Sequence, residues 1–403
     1  MNELSSLGLI LLFALLVGHL VKYAKIPEVT GYLVAGMLVG PSVLGWVSHE
    51  NLEALHVFSE VGLGLILFSI GGVFEIGRMR RVGRRVLMLA LSESACAAVL
   101  VAGGLLLIGQ PWAAALLLGA IAVETGAAST LMVVRENNAD GEFTEALIGV
   151  IGINNIFALV CFSLVAAAIE LSTMATTGGF DAITVARALF PLLWQLVGSA
   201  ALGFLIGLLL ASWASQVVET GETLILLVGC ILLTVGVTTA LDLSSLVASL
   251  SVGATLANLS ARSKRLFVAL SHTDPPLYVI FFVLAGADLN LALLPSLGVV
   301  GAVYVLARAG GKLGGAWIAA RRLESPDAVR KNLGLAILAQ AGLAVGLVLV
   351  TRQRFPELGP LISTVVLGAV AVFEVAGPLS ARFALDRTGE SRRQPEEPTP
   401  LDI

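Results

Sequence analysis

Charge is scarce in this sequence: Asp, Glu, Lys and Arg make up 13% of its 403 residues, against about 25% in an average soluble protein. The shortage is concentrated. Residues 146–169, 188–218, 223–241, 243–261, 289–307 and 332–351 contain no charged side chain. A bilayer span takes about 20 mostly apolar residues, so six such runs exclude a soluble globular fold. Cysteine is almost missing: Cys96, Cys161 and Cys230 all fall inside apolar runs, which excludes a secreted disulfide framework and gives no metal-ligand spacing. With four histidines in the chain, no Ser-His-Asp set or metal-enzyme cluster is recognisable, so neither an enzyme nor a cofactor is expected. No basic block stands apart from the apolar flanks, which argues against a nucleic-acid partner. What is plentiful is hydrophobic residues, at 57%, and 43 glycines. Small residues let helices approach closely in a bilayer. The fold class expected is an all-α polytopic membrane protein whose immediate partner is lipid.

Apolar stretches set against their polar breaks predict thirteen transmembrane helices. They run over 4–24, 29–47, 56–76, 86–109, 111–134, 144–170, 186–212, 221–238, 240–260, 266–287, 292–319, 330–351 and 358–384. The first is read as a retained helix and not a signal peptide, since Lys22 and Lys25 lie at its far end. Charge parity checks the count. Odd-numbered connections plus the C-terminal segment carry 19 of the 24 basic residues, including Arg78, Arg80, Arg81, Arg84 and Arg85. By the positive-inside rule the N-terminus is outside and the C-terminus cytoplasmic. Residues 386–403 are polar and proline-containing and read as a disordered cytoplasmic tail. No soluble regulatory domain is expected.

An internal repeat is visible. Leu33-Val34-Ala35 and Val39-Gly40 in segment two recur in segment nine as Leu246-Val247-Ala248 and Val252-Gly253. Phe68 and Gly72 in segment three match Phe282 and Gly286 in segment ten. Segments two and nine cross in opposite senses, as an inverted repeat requires, with a substrate site expected between the repeats at mid-membrane. Segment five carries Glu124-Thr125-Gly126-Ala127-Ala128-Ser129-Thr130 at its centre, and segment twelve carries Ala339-Gln340-Ala341-Gly342. Glycine with polar side chains at mid-span suits a locally unwound helix whose freed backbone groups face an ion or water.

Several stretches together resemble the bacterial monovalent cation:proton antiporter-2 family. They are Gly31-Tyr32-Leu33-Val34-Ala35-Gly36 through Gly40-Pro41, Leu67-Phe68-Ser69-Ile70-Gly71, and Phe281 to Ala287. Arg308-xxx-Lys312, Gln340-Ala341-Gly342-Leu343-Ala344 and Glu374-xx-Gly377-Pro378 complete the set. The resemblance runs from about residue 5 to 385. It implies a homodimer in the bacterial inner membrane, each subunit pairing a scaffold with a mobile six-helix core in which two discontinuous helices cross. The scaffold would be about residues 4–76 and 221–287, the core about 86–170 and 292–384, and a linking helix about 186–212. The chain departs from the family pattern at segment six, where proton-coupled relatives usually carry Asp-Asp or Asn-Asp and this chain has Asn154-Asn155. An asparagine offers a carbonyl to a cation but cannot titrate.

Ionisable residues at mid-membrane are functional hypotheses by default, because each costs at least about 2.5–3.5 kcal/mol there. Glu124, central in segment five, is read as the exchanging carboxyl, with Thr125, Ser129, Asn154 and Asn155 as neutral oxygens for a dehydrated cation. Arg308 and Lys312 share one face of segment eleven. The resemblance gives Arg308 a core salt bridge and associates it with electroneutral exchange. Its partner is expected to be Glu93, placed by the repeat offset, or Glu374; Glu374 is read otherwise as the neutraliser of Lys312 or as a second proton carrier. Lys312 either joins this core network or snorkels to the cytoplasmic surface. Asp242 reads as a helix N-cap, and His19 as a buried neutral histidine. The function expected is exchange of a monovalent cation, Na+ or K+, for protons by alternating access. Two rivals stand beside it because of Asn155: a channel or ion-responsive sensor on an antiporter scaffold, or a carrier of another small solute.

Overall fold

The computed structural model describes residues 3–23, 26–72, 74–177, 190, 193–214, 216–217, 219–271, 275–287 and 297–391. Among the described residues the regular structure is sixteen α-helices and one π-helical turn, with no strand. In chain order they are α1 (Glu3–Tyr23), α2 (Glu28–Val39), α3 (His49–Gly71), α4 (Ile76–Leu107), α5 (Trp112–Ile121), α6 (Ala127–Glu136) and α7 (Glu142–Thr177). A π turn at Trp194–Gly198 leads into α8 (Ser199–Ala214). There follow α9 (Thr220–Ala240), α10 (Ser245–Leu259), α11 (Ser263–Ser271), α12 (Pro275–Ala287), α13 (Gly298–Arg322), α14 (Asp327–Ala336), α15 (Gly342–Arg354) and α16 (Gly359–Thr388). Five stretches are long and apolar enough to cross a membrane: Gly83–Leu107, Glu142–Ser172, Trp194–Ala214, Gly221–Ala240 and Gly359–Thr388. Shorter apolar helices of 10–17 residues accompany them.

Close backbone approach holds these helices together, as expected where lipid tails are no less apolar than leucine. A Cβ on Gly36 of α2 would lie 2.0 Å from the Val283 carbonyl of α12, and one on Gly71 of α3 would lie 2.2 Å from the Leu250 carbonyl of α10. Elsewhere α13 lies on α4. There a Cβ on Gly315 would lie 2.6 Å from the Cα of Glu93. Any side chain at these positions forces the helices apart.

Both expected helix interruptions occur. Segment five is divided between α5 and α6, with residues 122–126 outside either helix, so Ser129 belongs to the second half-helix and not to the break. Segment twelve is divided between α14 and α15 around residues 337–341. Gly126 N–H donates to the Ala339 carbonyl at 2.9 Å, tying one break to the other.

Four expectations are corrected. Helix α4 starts at Ile76, well before residue 86, because arginine is a good helix former and the basic stretch continues the helix. Ser244, not Asp242, caps α10 by accepting from Val247 N–H, while Asp242 sits in the preceding turn at φ +52°. His19 is exposed on α1 beside Tyr23, ring centroids 6.2 Å apart. The tail does not begin at Asp386: α16 runs to Thr388, ends on left-handed Gly389, and the Glu390 carboxylate accepts from Phe143 and Thr144 N–H at 2.8 Å. Four unpaired N–H groups at a helix start make it an anion site, and this carboxylate fills the one that opens α7. The starts of segments seven and eleven and residues 392–403 lie outside the described residues. At the head of α14, Lys331 bonded to Asp327, with Arg330 beside it, holds that carboxyl below the usual carboxylate range.

Candidate functional site

The two helix breaks meet, joined by the Gly126–Ala339 bond, with α4, α13 and α16 around them. Five acidic or basic residues are buried there among the described residues: Glu93, Glu124, Arg308, Lys312 and Glu374. Their placement follows from the stripe Tyr304, Arg308, Lys312 on α13, spaced four apart and so on one face. That face is turned to the breaks.

Lys312 neither snorkels nor waits unpaired. Its Nζ is 3.1 Å from Glu93 Oε2, 2.6 Å from the Val123 carbonyl and 2.7 Å from Thr125 Oγ1. Two of its donors are thus hydrogen-bonded, to Val123 and Thr125, and the ammonium is ion-paired with Glu93. Ser94 Oγ donates to Glu93 at 3.1 Å and also contacts Asn154 Oδ1 at 3.2 Å, while Asn154 Nδ2 donates to Thr125 Oγ1 at 3.0 Å. The result is a closed polar cluster. The expected Glu93–Arg308 pair is therefore replaced by Glu93–Lys312, and the Thr125 and Asn154 oxygens expected to face a cation are engaged within the cluster.

Arg308 serves the breaks themselves. Nη1 donates to the Leu338 carbonyl at 2.7 Å, and Nη2 donates to the carbonyls of Glu124 at 2.7 Å and Ala339 at 3.0 Å. These oxygens follow the C-terminal ends of α5 and α14, where interrupted helices leave carbonyls without intrahelical donors. A guanidinium fits that end of the helix dipole. Its face lies 4.3 Å from the Phe373 ring centroid on α16. Gln340 reaches back from the second break and donates to Tyr304 Oη at 2.8 Å. The sequence reading missed Tyr304, although its place one turn before Arg308 on the same face was the available signal.

Glu124 is left apart. Its carboxylate accepts from the Ala341 backbone N–H, at 3.2 and 3.4 Å, next to the start of α15. Arg308 bonds its main-chain oxygen and not its carboxylate. Ser129 Oγ lies 3.5 Å from both the Gly126 carbonyl and Glu374 Oε1. Asn155 does not join this group through a bond: its Oδ1 is buried without a partner, and the residue lines a small cavity with Leu67, Leu159, Ser244, Val247 and Leu343. The expected ligand set is thus divided three ways: Thr125 and Asn154 around Lys312, Ser129 beside Glu374, and Asn155 on the cavity.

At the far end of α6, bonds run to α12 and to the head of α2. Arg135 Nη1 donates to Tyr278 Oη of α12 at 2.7 Å, and Glu28 N–H at the head of α2 donates to Glu136 at 2.9 Å. Tyr32 Oη donates to Glu28 at 2.8 Å.

Comparison with known proteins gives a consistent result. The sodium/hydrogen exchanger transmembrane family matches residues 8–383. The ammonium/H(+) antiporter subunit AmhT of Alkalihalophilus pseudofirmus is 25% identical over 325 residues, 78% of this chain and 79% of that protein. The sodium proton antiporter MjNhaP1 from Methanocaldococcus jannaschii, in a structure at pH 8, shares 18% identity with a TM-score of 0.68 over 96% of this chain and 98% of its own. An electron-microscopy structure of the same antiporter gives a TM-score of 0.71 over 98% and 99%, again at 18% identity. At that identity the likeness is one of fold.

Proposed function

The chain belongs to the sodium/hydrogen exchanger family, and from that membership we propose that it exchanges a monovalent cation for protons by alternating access, with Glu124 as the proton-carrying group. The observation that carries the reading is the state of the Glu124 carboxylate. It is buried at the meeting of the two helix breaks and bonded to a backbone N–H, and no cationic side chain among the described residues is bonded to it. A carboxylate so placed either takes a proton or accepts a cation, and competition for the same oxygens couples the two fluxes. The name of the 25% identical relative adds ammonium to Na+ and K+ as a candidate cargo.

The architecture that serves this function has thirteen crossings, α5 with α6, α11 with α12 and α14 with α15 each making one. The N-terminus lies outside and the C-terminal end in the cytoplasm, and the protein works as a homodimer. The core is α4–α7 with α13–α16, moving against a scaffold of α1–α3 and α9–α12 related to each other as inverted repeats. The Arg135–Tyr278 and Glu136–Glu28 contacts then join core to scaffold on the cytoplasmic side, and movement of the core must break them.

The test is simultaneous recording of cation and proton fluxes in proteoliposomes stepped with Na+, K+ or ammonium salts. Exchange gives opposite, mutually dependent fluxes. Cation movement with no proton movement gives a channel, and movement of both in one direction gives symport; either result refutes the reading.

A further inference from the structure

The connection between α6 and α7 is held from the far end of the chain. Helix α7 opens at Glu142, directly after Gly141, whose carbonyl takes the Glu145 N–H as an N-cap residue does. An N-cap side chain accepts from the second or third N–H of its helix, and glycine has none to offer. Glu390, beyond the end of α16, supplies the missing group. Its carboxylate accepts from Phe143 N–H and Thr144 N–H, each at 2.8 Å, and from Thr144 Oγ1 at 2.7 Å. The seat is close-fitting: a Cβ on Gly141 would lie 2.2 Å from Glu390 Cδ, so a side chain there displaces the carboxylate. Two neighbouring bonds tie the same segments. Asp140 N–H donates to the Glu390 carbonyl at 3.3 Å, and Ser391 Oγ donates to Asn137 Oδ1 at 3.4 Å. Asn137 is itself buried, and its Nδ2 donates to the Val133 carbonyl at 2.7 Å, closing the last turn of α6. Directly before it stand Arg135 and Glu136, which bond Tyr278 Oη at 2.7 Å and the Glu28 N–H at 2.9 Å.

We propose that Glu390 is a positioning residue for closure at this end of α6. By capping α7 from the end of α16 it fixes the α6–α7 turn, and with it the posture in which Arg135 and Glu136 reach Tyr278 and the head of α2. Capping alone does not call for so distant a residue, because a serine, aspartate or asparagine at position 141 would do it locally. What Glu390 adds is a tie between α16 and the segment that carries the two contacts. The consequence for transport rests on the exchange reading above, in which those contacts break as the carrier opens to the cytoplasm; the tie itself does not. Unseating Glu390 loosens the end of α6 and favours the open form. A carrier more often open takes up a cation from that side at lower concentration, since apparent affinity scales with the competent fraction.

The experiment compares amide hydrogen exchange in the full chain for wild type, Glu390→Gln and Gly141→Ser. The serine both displaces Glu390 and brings a local hydroxyl cap, so it separates capping from the tie; Gly141 has no positive φ, and a side chain there strains nothing in the backbone. In Glu390→Gln, loss of charge-assisted bonds should speed exchange about tenfold at the start of α7 and also at the head of α2. In Gly141→Ser the start of α7 should stay protected while the head of α2 still loosens. Proteoliposomes carrying either variant should reach half-maximal Na+ or K+ flux from the cytoplasmic side at a concentration lower by up to about tenfold. Faster exchange confined to the start of α7 in Glu390→Gln, or wild-type protection of the head of α2 in Gly141→Ser, makes Glu390 a cap only and overturns the inference. Where Glu390→Gln does not fold, Gly141→Ser decides alone. Loosening of α2 in the variants of a protein whose wild type shows no coupled fluxes upholds the tie and overturns the exchange reading alone.

Discussion

Replacing Lys312 with methionine removes the only cation paired with Glu93 among the described residues, while keeping most of the side-chain volume. The variant leaves Glu93 buried with only the Ser94 hydroxyl, and it strips donors from the Val123 carbonyl and Thr125 Oγ1. Breaking one partner of a buried ion pair costs about 3–5 kcal/mol, because the other charge is stranded, whereas removing both is often neutral. Lys312→Met and Glu93→Gln should therefore each destabilise by about 3–5 kcal/mol, and the double variant should recover most of the loss. Unfolding of the purified protein in mild detergent, compared across the four forms, reads the coupling energy directly. A parallel cycle between Glu93 and Arg308 should show much weaker coupling, since Arg308 Nη1 and Nη2 are bonded to backbone carbonyls and not to Glu93. Additive single losses in the first cycle, or equal coupling in the second, would refute the pairing drawn here.

Three further outcomes are expected. Cysteines placed at Ser48 and Ser391 should label from opposite faces of the membrane, and labelling of both from one face breaks the thirteen-crossing topology. Tyr278→Phe removes the acceptor of a charged hydrogen bond worth about 1.5–3 kcal/mol; it should raise hydrogen exchange at the end of α6 by shifting the core toward an open cytoplasmic side, and unchanged protection there would remove the contact from gating. Asn155→Asp adds a titrating group beside the small cavity, so apparent cation affinity should rise at alkaline pH and fall as the new carboxyl protonates; a pH-independent affinity across the series would place position 155 outside the exchange site.

Much of this architecture was legible in one dimension because a bilayer imposes a length and a polarity on each helix. The breaks at Glu124-Thr125-Gly126 and Gln340-Ala341-Gly342 announced themselves through glycine and polar side chains at mid-span. The buried charges were legible too, since few residues in those runs ionise. Which of them pair was not. Spacing puts Arg308 and Lys312 on one face, but which reaches Glu93 depends on how α13 is rotated against α4, and Gly311 and Gly315 set that rotation by letting the backbones touch. The competition for Thr125 and Asn154 was equally hidden, because composition shows an oxygen without showing that a lysine has claimed it. Glu390 was read as tail for a similar reason: it caps a helix through Phe143, 247 residues earlier, and only the folded chain brings them together.

The central claim is that Glu124 carries the proton. Glu124→Gln keeps an oxygen at the same place, so the helix breaks and their Arg308 bonds should survive, yet an amide cannot release a proton. Cation-driven proton release would be measured for wild type and Glu124→Gln in matched proteoliposomes from about pH 6 to pH 9, on both sides of neutrality, where a proton carrier must load and unload. The account predicts robust, pH-dependent release in wild type and none above background in a variant that elutes as a folded protein. Wild-type rates in Glu124→Gln across that range would contradict it.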